Sequence, residues 1–448
     1  MSVRGPGVPR APGARAPRRV GPPAAPPDRP LSAEDQAAHE RHLRELHNSR
    51  VLRYDAAAVG VIGAATPFLP VLVARLGGSA LEVGLISVVT ALAALVLGVP
   101  AGALLERRRD LVRWYSLSRL VSWLGYGAIA AIVVLAPGGR VVVLILVAWA
   151  VASIPATVGQ VAFPIVMNDA AGPGGRFELL GRRWATMSLA TAAAVAATGW
   201  LLDRLPFPEG YGLAFAAFAV AGAVAYAFER QIRLVREPPA RLPRASWWRV
   251  AGAGRWRGRL DANRQFLSYL LAHGVIAGAL QLVAPVITLF YVRGVRASDA
   301  EIGLIATASA LATFGGYHAW RRLAARSGGR RVVVWSTLGV AAYPGILGLA
   351  PSPLAAGIVV AAGAAAYAGL SLALFDELMR RVKPDRAIVM ASIDYAVSNA
   401  VGIVAPLAGA ALADALGLSM ALAAGSLVAL AGAALLILDR RTAPATPA

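Results

Sequence analysis

The sequence predicts an all-α membrane protein of twelve transmembrane helices in two pseudo-symmetric six-helix bundles. Three observations predict it. Apolar residues come in blocks long enough to span a bilayer, basic residues crowd into every second gap between those blocks, and the second half of the chain repeats features of the first in register. Of the 448 residues, 57% are hydrophobic, against about 45–50% in soluble domains. A helix rising about 1.5 Å per residue needs about 20 apolar residues to cross a hydrocarbon layer of ~30 Å. The chain supplies such blocks in succession, several built of Ala, Gly, Val and Leu. Small residues let helices approach closely in lipid, where packing holds them together.

Taken in order, residues 1–31 are a Pro- and Arg-rich stretch without the apolar run of a signal peptide, and are expected to form a disordered cytoplasmic tail. Residues 32–53 predict a polar or interfacial helix, with Ser32 as cap and Asp35 in the capping-box position. The N-terminal six-helix bundle, 54–228, has spans at 54–76, 80–105, 114–136, 141–167, 184–202 and 211–228. A basic cytoplasmic linker, 229–264, carries Trp247, Trp248 and Trp256 among its arginines. It reads as a segment lying on anionic lipid, the alternative being a regulatory element. The C-terminal bundle, 265–438, has spans at 265–292, 300–320, 332–349, 353–374, 387–413 and 418–438, followed by a cytoplasmic tail at 439–448.

Orientation follows from the loop charges. The gaps after spans 2, 4, 6, 8 and 10, with the C-terminus, hold 28 Lys and Arg. The opposite side holds only Arg75, Arg140, Arg204, Arg293 and Arg296. By the positive-inside rule both termini and the linker face the cytoplasm of a cell membrane crossed many times. The net charge of +20 suits a nucleic-acid binder, but its arrangement in short loops assigns it to topology instead, so no nucleic acid is expected.

Other chemistries find little support. The chain has no cysteine, which excludes disulfides and thiolate chemistry. It has no phosphate-binding Walker loop and no Gly-x-Ser-x-Gly elbow. His39, His42 and His47 lie on the polar helix and read as solvated, not as metal ligands. Neither an enzyme nor a cofactor is expected.

The halves repeat. Glu82-Val-Gly-Leu-Ile86 opens span 2 and Glu301-Ile-Gly-Leu-Ile305 opens span 8. Arg107 and Arg326 each follow 25 residues later, and Pro67 and Pro285 fall in matching parts of spans 1 and 7. Glu82 and Glu301 read as helix-start carboxylates or as relics of the duplication. Between spans 2 and 3 stands Gly102-Ala-Leu-Leu-Glu106-Arg107-Arg108-Arg109-Asp110. It resembles the signature loop of the major facilitator superfamily: Gly, three residues, an acid, Arg, one residue, Gly, then two basic residues. Gly102, Glu106 and Arg107 match; Arg109 replaces the second glycine and Asp110 breaks the basic pair. In the second half Arg326-Ser-Gly-Gly-Arg330-Arg331 keeps the basic end, with Ala325 in place of the acid. Asp385-Arg386 before span 11, with Pro406 and Gly409 within it, is similar to bacterial members.

The resemblance implies a secondary transporter whose two bundles rock around a central cavity. Its partners would be a small-molecule substrate, membrane lipid and, if coupled, protons, and it would work as a monomer. Proton-coupled efflux of drugs or metabolites is the commonest such role; the alternative is a transport-inactive sensor or partner subunit that kept the fold. The resemblance puts spans 1, 4, 7 and 10 around the cavity. Gln160 and Gln281 are therefore substrate-cavity candidates, with Asn399 in span 11; each is equally able to bond across helices. Gly102, Glu106, Arg107, Asp169, Arg326 and Asp376 are candidates for a cytoplasmic gate, in which ion pairs hold one conformation closed. The competing reading is that these charges only set topology.

Ionisable groups at membrane depth are costly and few. Asp394, some eight residues into span 11, is a candidate coupling carboxylate or a structural partner of an arginine or helix dipole. His273 in span 7 is the second coupling candidate, since histidine ordinarily titrates nearest neutral pH, or else a hydrogen-bonded structural residue. Arg119 in span 3 is the third, or else it snorkels or pairs structurally.

Overall fold

Helices form where the apolar blocks predict them, because within a bilayer a helix satisfies every backbone N–H and C=O inside its own segment. The computed structural model describes residues 33–106, 108, 110–136, 138–171, 176–234, 264–381 and 387–438. It falls into two compact units, Met1–Arg44 and Glu45–Ala448. In the first, residues 33–44 are helical, with Gln36, His39, Glu40, Arg41, His42 and Leu43 exposed. All regular elements among the described residues are helical: α1 (Ala33–Gly63), α2 (Ala65–Arg75), α3 (Ala80–Glu106), α4 (Leu111–Leu135), α5 (Val141–Ala171), α6 (Arg176–Leu202), α7 (Glu209–Glu229), α8 (Arg264–Leu289), α9 (Asp299–Ser327), α10 (Gly329–Leu347), α11 (Pro353–Arg381), α12 (Ala387–Leu416) and α13 (Leu418–Leu438), with short turns at Gly138–Arg140 and Phe290–Gly294.

The expected boundary at 53/54 falls inside α1, so the polar helix and the first span run on without a break. Asn48 binds that stretch down, its amide donating to the carbonyls of Ala170 and Arg233. The predicted cap Ser32, the tails 1–31 and 439–448 and most of the linker, 235–263, lie outside the described residues. Among the described residues ten segments are long and apolar enough to cross a membrane, the first being α1 and α2 together. The helices α9 and α10 are not among the ten, yet they hold the eighth and ninth places in the order of spans.

The packing repeats as the sequence does. In the first bundle α4 packs on α5 and α7, and α3 on α5; in the second α10 packs on α11 and α13, and α9 on α11. Across the bundles α3 lies along α12, and α9 along α6. Exchanging spans 1–6 with 7–12 turns each of these contacts into another of the set, so span 2 corresponds to span 8. The shared Glu motif has the same local job in both halves. The Glu82 carboxylate accepts from the Ser79 N–H while the Ser79 hydroxyl accepts from the Glu82 N–H. Ser298 and Glu301 form the same reciprocal pair, which satisfies backbone donors that a helix start leaves open.

Small residues set the spacing inside the second bundle. A Cβ on Gly409 of α12 would lie 1.9 Å from the Leu282 carbonyl oxygen of α8, and one on Gly425 of α13 would lie 2.1 Å from Val283. Backbone cannot give way there as a flexible side chain would. Gly409→Ala is therefore expected to lower stability by about 1–3 kcal/mol, the cost of overpacking. Thermal unfolding in detergent measures it; an unchanged midpoint would mean that α8 and α12 part freely.

Candidate functional site

Both bundles contribute to a cavity of about 850 Å3. From the first half come Thr66, Thr90, Trp149 and Gln160, on α2, α3 and α5; from the second come Gln281 on α8 and Asn399 on α12. All three predicted cavity amides are thus brought together. Trp149 is held by its indole N–H, which lies 3.1 Å from the Ile86 carbonyl and 3.2 Å from the Thr90 hydroxyl. The tilted rings of Tyr126 and Trp149, 5.7 Å apart, form an aromatic wall. Among the described residues the lining carries hydroxyls, amides and aromatic faces and no carboxylate, imidazole, ammonium or guanidinium group.

His273 and Asp394 meet. His273 Nδ1 lies 2.6 Å from Asp394 Oδ1, and each side chain keeps under a fifth of its surface exposed. Sequence reasoning treated the two as alternatives; the structure joins α8 to α12 through them. His273 lies eight residues before Gln281 on α8, or about 12 Å towards the basic side. The Tyr269 ring, 5.6 Å from the imidazole, covers it.

On the arginine-poor side the bundles are clasped together. Arg75 Nε donates to Asp299 Oδ1 at 2.8 Å and its Nη2 to the Ala297 carbonyl at 2.9 Å. The Tyr211 hydroxyl donates to the same Asp299 oxygen at 2.6 Å. Reciprocally, Arg293 of the second half donates to the carbonyls of Ala74 and Gly78 in the first. Asp203 accepts from the Ser298 hydroxyl and the Ala300 N–H. Each half's loop arginine thus binds the other half's loop. Close contact continues where Gly199 of α6 meets Asp299 and Gly303, and where Gly84 of α3 meets Pro406. Nearer the basic side the same helices expose Val96, Val99, Leu189, Leu311 and Phe314.

Asp299→Ala removes the acceptor of both Arg75 and Tyr211. It is expected to shift the equilibrium towards opening of this side by about 1–3 kcal/mol. The measure is accessibility of a single cysteine at Thr66, in a chain that otherwise has none. Unchanged labelling would reduce the clasp to a surface ion pair.

A second polar cluster joins α1, α4, α6 and α7. Arg183 binds Asp55 at 2.9 Å, their side chains 4% and 0% exposed. Arg119 Nε lies 3.0 Å from a fully buried Glu229 oxygen, and its guanidinium sits by the rings of Tyr115 and Trp123 and bonds the Tyr115 hydroxyl. A Cβ on Gly159 would lie 2.8 Å from Arg119 Cγ, so this glycine makes the room. Arg119, a coupling candidate by sequence, stands in this cluster and not among the residues lining the cavity.

The gate candidates are less connected. Gly102 lies within α3, with Val161 of α5 opposite. Asp169 accepts from the neighbouring Asn168 amide, and Arg326 is exposed in the last turn of α9. Arg107, and the side chains of Glu106 and Asp376, lie outside the described residues. Two features of these loops do have local causes. Asp110 caps α4 by accepting from the Arg113 N–H at 3.0 Å, and Gly328 takes φ of +83° at the α9–α10 turn, a region that favours glycine.

Sequence reasoning missed Asp55, Arg183 and Glu229 because they lie at or just outside predicted span ends, where charge needs no explanation. It counted Arg75 and Arg293 only for topology. Their matching places, seven residues before Glu82 and eight before Glu301, were the available signal.

Residues 269–448 match the sequence model of the Major Facilitator Superfamily. No curated protein matches the chain in sequence. Solved structures similar in fold include the nucleoside transporter NupG, at 12% identity and TM-score 0.69 over 89% of this chain and 100% of that one. A bacterial homologue of the human lysosomal transporter Spinster, inward-facing and occupied, is 16% identical with TM-score 0.61, over 90% and 97%. A bacterial homologue of the iron transporter ferroportin, inward-facing, is 14% identical with TM-score 0.62, over 87% and 98%.

Proposed function

From the sequence match over residues 269–448 and the fold match over most of the length, we propose that this chain belongs to the major facilitator superfamily and is a secondary transporter of a neutral, hydrogen-bonding solute. One observation carries the reading. A cavity lined by both bundles is clasped shut on the arginine-poor side by ion pairs and hydrogen bonds between the two halves. That is the geometry of one end state of alternating access. Taking the basic side as cytoplasmic, the state is inward-facing, as two of the similar structures are.

The neutral lining supports the substrate class. The amides of Gln160, Gln281 and Asn399 offer donors and acceptors at one site, and Tyr126 and Trp149 offer flat apolar faces. A charged solute would leave its charge desolvated against such walls. The His273–Asp394 pair, 2.6 Å apart and about 12 Å along the helix from Gln281 towards the basic side, supports coupling to protons, since an imidazole and a carboxylate in hydrogen-bond contact can pass a proton between them.

Uptake and exchange in liposomes, over a panel of nucleosides, sugars, neutral amino acids and organic cations, with and without a pH gradient, tests the proposal. A neutral solute is expected to move and to respond to the gradient. Movement of cations alone would overturn the substrate class, and movement of nothing on any panel would favour the transport-inactive alternative. Orientation has its own test. A cysteine at the exposed Gly139 is expected to label with an impermeant reagent in intact cells, and one within 229–264 to stay unlabelled; the reverse would place the termini outside.

A further inference from the structure

A second cavity, of about 490 Å3, lies between α9 and α10 at their basic end, away from the central one. Its cause is local packing. α9 and α10 each lie along α11 more than along each other, so they diverge from their shared turn and leave a cleft floored by α11. The walls are mostly apolar, with Ala324 of α9, Val332 and Val333 of α10, and Leu372 of α11, and they also include Tyr317 and His318 of α9. Trp320 borders it in a fixed pose, its indole N–H donating to the Ala365 carbonyl at 2.8 Å. At the mouth stands Arg321. The turn around it runs Arg321-Arg-Leu-Ala-Ala-Arg326-Ser-Gly-Gly-Arg330-Arg331 without an acid, and all five arginines are exposed.

We propose that this cleft binds an anionic phospholipid, with acyl chain along the Val332, Val333 and Leu372 wall and headgroup phosphate on Arg321, Arg330 and neighbouring arginines. Two independent features select that occupant. A cavity within the span of membrane helices, with an aliphatic and aromatic lining, suits a hydrocarbon chain, which a soluble anion does not have. Arg321 in that lining, with four more exposed arginines in the same turn, suits an anionic headgroup, which a zwitterionic lipid offers poorly. The site is independent of the transport cavity, so it stands or falls separately from the substrate reading.

Native mass spectrometry of the detergent-purified chain tests it, with equimolar phosphatidylglycerol and phosphatidylcholine of matched chains. The chain is expected to retain phosphatidylglycerol preferentially, and Arg321→Gln and Arg330→Gln each to lower that retention roughly fivefold. Ala324→Phe fills the cleft without changing charge and should abolish the preference. Arg53→Gln, which removes an exposed arginine elsewhere, should keep it. Thermal unfolding checks that each variant is folded. Equal retention of both lipids, equal losses in Arg53→Gln and Arg321→Gln, or full retention in Ala324→Phe would overturn the site. Displacement of phosphatidylglycerol by millimolar inorganic phosphate would reassign it to a free anion.

Discussion

Asp55→Asn is expected to destabilise the chain by about 3–5 kcal/mol, the usual cost of removing one partner of a buried ion pair. The residue it abandons is Arg183, whose side chain is 4% exposed and whose Nε and Nη2 both bond Asp55. A guanidinium stays charged under all ordinary conditions, so it cannot relieve the loss by neutralising. Little water reaches it, since its side chain is 4% exposed. The Phe163 ring, 5.1 Å from the guanidinium carbon, packs on it and also lines the cavity. Removing both partners, as in Asp55→Leu with Arg183→Met, should recover most of the stability, because well-packed apolar groups replace buried pairs at little cost. Thermal or denaturant unfolding in detergent decides between these outcomes. A single variant as stable as the parent would mean that the cluster opens to solvent.

Asp394→Asn is expected to abolish gradient-driven transport while leaving the chain folded and able to exchange substrate. The asparagine amide keeps the size of the carboxylate and can still bond His273, but it can no longer carry the proton. The coupling reading needs the proton; a structural reading needs only the bond. His273→Gln keeps a bonding partner for Asp394 and removes the imidazole, and should uncouple transport as well. Exchange and pH-driven flux in the same liposomes separate the two steps. Full proton-driven flux in either folded variant would show that the pair is structural.

Apolar block length and the alternation of arginine-rich gaps determined by themselves that this chain is helical, crosses a membrane repeatedly and repeats six spans by six. Those properties are local: each helix meets its backbone needs alone, and a bilayer demands the same length from every span. The repeat was legible because Glu82 and Glu301 make the same capping box in the same register, which depends on residues three apart. The amides Gln160, Gln281 and Asn399 were legible as polar groups within spans, and Gln160 and Gln281 became cavity candidates only through the resemblance, which puts spans 4 and 7 around the cavity.

Which charges pair was decided only by tertiary structure. Asp299 lies 224 residues from Arg75 and Asp394 lies 121 from His273, and no periodicity connects positions so far apart. Asp55, Arg183 and Glu229 sit at or just outside the span ends that the sequence predicts, so nothing in their neighbours distinguishes a solvated charge from a buried one. The deciding term is desolvation, which belongs to the helices packed around a group and not to the group itself. The same holds for the cleft between α9 and α10. Its arginines are plain in the sequence, but the cavity behind them exists only because both helices pack on α11.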